Sequence, residues 1–183
     1  KLFDKKIFYF PFFSHPDPSV KRKSGFLTPV YGTSSKKGSW VNIPYFKVIN
    51  DEKDLTFSPR IYADDKFILQ SEYRQAFENS NLISDFSLNH DGKNNNSHLF
   101  AKITGDISYK SKFDFKFQDV SNDDYLKIHN LSNSSPLIEN ESLLTTQLDI
   151  KKNIDENTNL DTSFIVYEDL SKKDSDRFQY ILP

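Results

Sequence analysis

The sequence predicts an all-β fold of antiparallel, up-and-down strands, each with one apolar and one polar face. Two observations lead to this prediction. The chain of 183 residues carries 17 Phe and 9 Tyr but 5 Gly, and aromatic residues are enriched in strands. Apolar and polar side chains also alternate with a period of two along most of the chain, which places them on opposite faces of a strand.

The alternation is clearest in residues 113–118, where every second residue is Phe. Extending the pattern along the chain gives about ten strands. They are predicted at 25–33, 38–49, 54–63, 67–77, 82–90, 98–109, 112–121, 142–152, 159–168 and 177–183. Most of these lengths are close to the roughly 9–11 residues that a tilted strand needs to cross a bilayer.

The connections between the strands differ in length at the two ends. Short polar turns at 50–54, 78–81 and 110–112 alternate with longer loops at 89–97, 122–141 and 169–176. This asymmetry is typical of outer-membrane barrels, which have short turns at one end and long loops at the other. We therefore predict a partial outer-membrane barrel, with residues 122–141 as a mobile loop on its exterior side.

Composition excludes several classes of function. The net charge is −2, from 24 basic and 26 acidic residues, so nothing indicates a nucleic-acid partner. The absence of Cys excludes disulfides and thiolate metal sites within this sequence. No apolar run approaches the roughly 20 residues of a membrane helix. Without Met or a signal peptide at its start, the sequence is interpreted as an internal segment of a longer chain.

The polar faces of the strands are the candidate lining of a lumen. The residues predicted to point into it are Arg60, Glu72, Arg74, Lys102, Asp106, Asp114 and Lys116. The apolar residues predicted to face lipid are Phe113, Phe115, Phe117, Leu148, Ile150 and Phe164. The alternative is that the polar residues form the solvated face of a soluble β-sandwich.

Two groups of residues are candidates for a chemical role. Glu72 and Asp85 could form the carboxylate pair of a glycosidase, but facing carboxylates are common on adjacent strands. His90, Asp91 and His98 flank an Asn-rich loop, but their spacing matches no zinc pattern, and the loop lacks the terminal Glu of an EF-hand. We predict no catalytic residue, no metal and no cofactor.

Pro29 and Pro44 stand within the first two predicted strands. Proline removes a ladder donor and belongs at sheet edges, whereas a closed barrel has no edge. The two prolines therefore predict a seam between strands that is weak because it lacks backbone hydrogen bonds. Just before them, Lys21, Arg22 and Lys23 form a basic turn that could contact an anionic lipid head group or remain simply solvated.

Several runs together resemble the LptD (OstA/Imp) family of lipopolysaccharide-assembly proteins. The runs Ile7–Asp17 and Arg22–Pro29 resemble the family's junction between a periplasmic jelly-roll domain and the first barrel strand. Similarity continues in Val41–Phe46, Leu55–Tyr62, Phe67–Phe77 and Asp119–Tyr125. The resemblance implies that residues 1–18 end the jelly roll and form a hinge, and that residues 19–183 begin the barrel.

The resemblance also implies a function without covalent chemistry. Lipopolysaccharide would enter the outer leaflet of a Gram-negative outer membrane through the lumen and a lateral gate at Pro29 and Pro44, with the N-terminal residues periplasmic. The implied partners are lipopolysaccharide, an LptE-like lipoprotein plug, an LptA-like periplasmic bridge and outer-membrane lipid. The alternatives are a generic outer-membrane porin or receptor barrel, and a soluble glycan-binding β-sandwich.

Overall fold

The computed structural model describes residues 22–34, 38–63, 66–90 and 94–183. These residues form a single antiparallel sheet of twelve strands, which confirms the predicted all-β fold class. The predicted jelly-roll end and hinge, residues 1–18, lie outside the described residues.

The strands within the described residues follow the predicted order, and the short helices lie in ranges predicted as loops. The strands are β1 Gly25–Phe26, β2 Val30–Ser34, β3 Gly38–Asn42, β4 Tyr45–Val48, β5 Lys53–Tyr62, β6 Phe67–Ala76, β7 Ser80–His90, β8 Asn95–Ser108, β9 Ser111–Val120, β10 Leu143–Asn153, β11 Asn159–Asp169 and β12 Phe178–Ile181. Helix α1 spans Tyr125–His129, and 3-10 turns occupy Ser132–Ser134 and Asp174–Asp176. None of the helices in this part of the chain is long and apolar enough to cross a membrane.

From β4 to β12, the order of strands across the sheet is their order in the chain. Each strand pairs antiparallel with the one before it, as in an up-and-down meander. At one side of the sheet, β1 pairs with β4, and β2 pairs with β3. At the other side, β12 pairs with β11. Within the described residues the sheet is therefore open, with β1 and β2 on one edge and β12 on the other.

The first two predicted strands differ from the structure in one respect, because each is interrupted. The strand predicted at 25–33 divides into β1 and β2, and the strand predicted at 38–49 divides into β3 and β4. The interruptions fall at residues 27–29 and 43–44, which contain Pro29 and Pro44. The physical reason is that proline cannot donate a backbone hydrogen bond to the ladder.

Of the long loop predicted at 89–97, residues 89–90 and 95–97 belong to strands, and residues 91–93 lie outside the described residues. β7 continues to His90 and β8 starts at Asn95, with eleven cross-strand pairs that run to the end of both strands. One of the polar residues that indicated a loop, Asn89, is buried and donates from Nδ2 to the Phe67 carbonyl at 2.8 Å. On the buried polar face of this sheet, a polar side chain does not indicate a loop as it does in a soluble protein.

The pattern of burial in the sheet is the reverse of that in a soluble protein, because polar side chains are buried and large apolar side chains are exposed. Its buried side chains include Arg60, Gln70, Ser87, Asn89, His98 and Gln118. Its exposed large apolar side chains include Ile61, Phe67, Leu88, Leu99 and Phe164. Soluble proteins rarely bury such polar residues, whereas strands of a membrane barrel alternate between polar inside and apolar outside.

Candidate functional site: a polar face beside an interrupted edge

The seven residues predicted to line a lumen all lie on one face of the sheet. Antiparallel partners share a face, and successive partners connect these residues across β5 to β9. They are Arg60, Glu72, Arg74, Lys102, Asp106, Asp114 and Lys116. The buried residues Ser87 and Gln118 belong to the same face, which we call the polar face. That the polar face lines a lumen stays a prediction.

Ion pairs cover the half of the polar face near the short turns. Arg74 Nε lies 2.8 Å from Asp54 Oδ1 and 3.5 Å from Glu72 Oε1. Lys102 Nζ lies 3.1 Å from Asp114 Oδ2. Two open cavities, of about 510 and 550 Å³, lie over this half. Because Arg74 and Lys102 each have a carboxylate beside them, this half of the face is strongly polar and its positive charges are paired.

The basic turn at the start of the sheet is partly engaged within the chain. Lys21 lies outside the described residues. Arg22 donates from Nη1 to Asp54 Oδ2 at 2.5 Å and from Nη2 to the Asp51 carbonyl. Lys23 is exposed. Arg22 thus attaches the chain entering the sheet to the start of β5, and a lipid head-group contact by this turn stays a prediction.

Residues 121–142, between β9 and β10, form an inner segment that folds onto the other half of the polar face. Its buried apolar side chains are Tyr125, Leu126, Leu131, Leu137 and Ile138, and they form one cluster with Ile68 and Phe100 of the sheet. The prediction of a mobile polar loop is therefore corrected. The apolar residues are sparse in this segment, but helix α1 and the turn after it bring them together on one side.

Arg60 joins the inner segment to the sheet edge. Its side chain is buried, with 2% of its surface exposed. Nη1 donates to the His129 carbonyl at 2.5 Å, and Nη2 donates to Ser134 Oγ at 2.6 Å. The guanidinium also lies over the Trp40 ring, 4.3 Å from its centroid. Arginine suits this position because its planar group can stack on an aromatic face while its edge donates hydrogen bonds.

A second buried polar network holds α1 from the opposite side. Ser87 Oγ lies 2.7 Å from both His98 Nδ1 and the Tyr125 hydroxyl. His98 Nε2 lies 3.3 Å from Asp85 Oδ2. Burial raises the pKa of Tyr125 to about 12, so its hydroxyl stays protonated at physiological pH. Asp85, His98 and Ser87 are all buried, and the hydrogen bond between Ser87 and Tyr125 joins this row to α1.

The structure also places the two residue groups that the sequence offers for chemistry, except Asp91, which lies outside the described residues. Glu72 and Asp85 are direct cross-strand partners, as neighbouring strands of one polar face require. His90 and His98 lie on opposite faces, since His98 shares the face of Ser87, and His90 is an odd number of positions away from it. Within the described residues, no group of three or more His, Asp or Glu side chains gathers as a metal site.

The interrupted edge combines three prolines at one level of the sheet. The Leu27 N–H donates to the Pro44 carbonyl at 2.9 Å, and the Ile43 N–H donates to the Pro59 carbonyl at 3.2 Å. Neither proline has an N–H to return the bond. Pro29 closes the interruption on the first strand, where residues 27–29 stand opposite residues 43–44 and insert one extra residue.

Sequence reasoning found Pro29 and Pro44 but missed Pro59 and the role of Arg60. Pro59 is absent from the predicted gate residues, although its place fifteen residues after Pro44 is a usable signal. Arg60 was grouped with the other polar residues, because its partners His129 and Ser134 are about seventy positions away. The spacing of Tyr125, Leu126 and His129 fits one face of a helix and could have indicated α1.

Parts of the chain are similar in sequence to proteins of one family. Residues 5–79 match the family model described as LptD protein. A protein of Idiomarina loihiensis named LPS-assembly protein LptD is 31% identical over 137 residues, which cover 69% of this chain and 17% of the relative.

Two further relatives carry the same name. That of Cupriavidus pinatubonensis is 42% identical over 73 residues, covering 40% of this chain and 9% of the relative. That of Nitrosococcus oceani is 36% identical over 94 residues, covering 51% and 13%. The match thus spans between 9% and 17% of the length of these three relatives.

Proposed function

The chain belongs to the LptD family, and on this premise we propose that it forms the N-terminal part of a barrel that inserts lipopolysaccharide into the outer leaflet. The barrel lies in the outer membrane of a Gram-negative cell, with the residues before the sheet on the periplasmic side. The short turns then face the periplasm, and the inner segment approaches the polar face from the exterior end.

The observation that carries this proposal is the reversed burial of the sheet. Arg60, Ser87 and His98 are covered, while Phe67, Leu88 and Leu99 are exposed. In water such exposed side chains would lose the hydrophobic contribution of burial, roughly 25 cal/mol per Å². In a bilayer they meet hydrocarbon, and the polar face meets a water-filled interior.

The interrupted edge is the proposed lateral gate. β1 and β2 form an edge of the sheet within the described residues, and Pro29 and Pro44 interrupt the first two strands at the same level. The bond that Pro44 cannot return to Leu27 lies between the first two strands, and its absence weakens the attachment of the first strand by about 0.5–1.5 kcal/mol. A lipid could then leave sideways between the first strand and the strand that closes the full barrel.

The polar face supports a route for the sugar and phosphate groups of the lipid. Its cavities and alternating charges, such as Lys102 beside Asp114, allow passage of a hydrated glycan. The inner segment covers the other half of the face, so a glycan that enters from the periplasmic end is directed toward the edge.

The proposed partners follow from the same family. They are lipopolysaccharide, an LptE-like lipoprotein plug in the lumen, an LptA-like periplasmic bridge and outer-membrane lipid. A basic turn that includes the exposed Lys23 is a proposed contact for lipid phosphate at the periplasmic rim. We propose no catalytic role for any residue.

The alternatives account for fewer of the observations. A porin or receptor barrel shares the reversed burial but gives no reason for prolines at one level of the first three strands. A soluble glycan-binding β-sandwich would cover its apolar face with a second sheet, whereas Phe67 and Leu88 are exposed on the single sheet that the described residues form.

Depletion of the full-length protein from cells separates the first two possibilities. We expect newly made lipopolysaccharide to stop reaching the cell surface while the uptake of small solutes is unchanged. A porin would give the opposite result, with normal lipopolysaccharide delivery and slower uptake. That result would contradict the proposed function.

A further inference from the structure

Arg60 occupies an unusual position for a buried cation. Among the described residues, no carboxylate lies within ion-pair distance of its guanidinium. Its charge is held by two oxygen acceptors of the inner segment, the His129 carbonyl and Ser134 Oγ, and by the Trp40 ring. A buried charge needs such partners, so removing the inner segment would leave Arg60 with the Trp40 ring alone.

Trp40 links Arg60 to the edge strands of the proposed gate. It lies in β3, which with β2 forms what we call the edge hairpin, above the interruption at residues 27–29 and 43–44. The indole packs so closely on Gly32 of β2 that a Cβ there would lie 2.5 Å from the ring. One side chain therefore contacts both strands of the edge hairpin and the Arg60 guanidinium.

The edge hairpin is held to the rest of the sheet by a short ladder. Three cross-strand pairs join β3 to β5, the last of them between Asn42 and Arg60. Below this pair, Ile43 and Pro59 share one backbone hydrogen bond where two would form without the proline. The Arg60 side chain thus stabilises the hairpin at the point where its ladder ends.

From these contacts we infer that Arg60 is a positioning residue that couples the inner segment to the edge hairpin. While the inner segment is seated, Arg60 is held under Trp40 and the hairpin stays docked on β5. When the inner segment lifts, Arg60 loses both oxygen acceptors, and its guanidinium turns toward water. Trp40 then loses its cation contact and the hairpin is released. The inference rests on the proposed gate. A molecule that enters the lumen displaces the inner segment, and this displacement is the signal that opens the gate.

Hydrogen exchange in the full-length protein, purified with the partners it carries, tests this coupling. The variant Leu126→Ala unseats the inner segment by removing a fully buried side chain that does not touch Arg60 through a hydrogen bond. We expect backbone amides of β3 to exchange about tenfold faster or more, since the hairpin loses contacts to a charged group. The matched control Lys127→Ala, at an exposed neighbour in α1, should leave β3 unchanged.

A second background distinguishes coupling from general loosening. In Arg60→Met, β3 should already exchange fast, and adding Leu126→Ala should cause no further change. Should Arg60→Met fail to assemble, Trp40→Leu supplies the same test from the hairpin side. Faster exchange in α1 with unchanged exchange in β3 would overturn the coupling. So would an equal effect of Leu126→Ala with and without Arg60.

This readout does not depend on lipopolysaccharide. If the exchange experiment shows the coupling but the proline variants deliver lipopolysaccharide normally, the coupling stands and the proposed gate is contradicted. If the proline variants slow delivery but the exchange experiment shows no coupling, the gate stands and the coupling is contradicted.

Discussion

Ile43 donates its backbone N–H to the carbonyl oxygen of Pro59 at 3.2 Å, and Pro59 has no N–H with which to return the bond. On the other side of the same strand, at the next residue, Pro44 accepts from Leu27 and likewise cannot donate. Ile43 and Pro44, which lie between β3 and β4, therefore make one backbone hydrogen bond to each neighbouring strand, where two would form without the prolines. Reciprocal hydrogen bonds are therefore missing both between the first and second strands and between the second and third.

The facing of the strands can be tested at two adjacent residues of β9. Phe115 lies on the face opposite the polar one, and Lys116 lies on the polar face with an ion pair to Glu139 at 2.7 Å. An Arg that faces lipid near the bilayer midplane costs about 2–4 kcal/mol. We expect Phe115→Arg to prevent assembly of the full-length barrel, whereas Lys116→Gln assembles. Heat-modified migration on gels measures the folded barrel, and equal assembly of both variants would show that the assigned facing is wrong.

The packing of the inner segment predicts resistance to protease. Leu126 is fully buried, and replacing a buried Leu by Ala costs about 2–5 kcal/mol. We expect protease to leave residues 121–142 intact in the purified wild-type protein and to cut them in Leu126→Ala. Lys127→Ala is the control, because that side chain is exposed. Rapid cutting of the wild-type protein within this segment would mean that the segment is not seated on the polar face.

An ion-pair cluster between the two longer loops predicts a dependence on pH. Arg177 donates to both oxygens of Asp123, at 2.7 and 3.0 Å, and to Glu168 at 2.7 Å. The hydrogen bond from Arg177 lowers the pKa of Asp123 below its ordinary value of 3.8. A depressed carboxyl pKa stabilises the folded state above the ordinary value, and this contribution is lost as pH falls through the lowered pKa.

The size of this contribution is small, because Asp123 is about half exposed: we expect less than about 1 kcal/mol in the free energy of unfolding. Unfolding midpoints of the wild-type protein and Asp123→Asn should differ at pH 6 and converge below pH 3.8. A difference that persists unchanged at the lower pH would assign the effect of the substitution to something other than the charge of Asp123.

Much of the fold could be predicted from local pattern. Alternation in residues such as 113–118 identifies a strand whatever its partners are, and the order of strands follows from short turns. The breaks at Pro29 and Pro44 follow from the chemistry of proline alone, although their alignment with Pro59 depends on register. Register is a property of paired strands, and it does not appear in any one of them.

The candidate site was predicted less completely, since it depends on contacts between distant residues. Arg60 and Lys116 have the same pattern in sequence, but one is buried under α1 and the other pairs with Glu139 near the surface. Residues 121–142 carry Asn, Ser and Asp throughout, so their composition indicates a solvated loop. Their apolar side chains acquire a role only where the polar face offers Ile68 and Phe100 as an apolar patch.

The central claim is that the prolines of the first two strands keep a lateral gate weak. Restoring the donors in Pro29→Ala with Pro44→Ala adds ladder bonds worth about 0.5–1.5 kcal/mol each, and Pro136→Ala in the inner segment is a control outside the strands. The measurement is the rate at which newly made lipopolysaccharide reaches the cell surface, at matched amounts of folded full-length barrel. We expect slower delivery in the double variant, a smaller effect of either single change, and normal delivery in the control. Normal delivery in the double variant would contradict the gate and leave the prolines as features of an edge strand only.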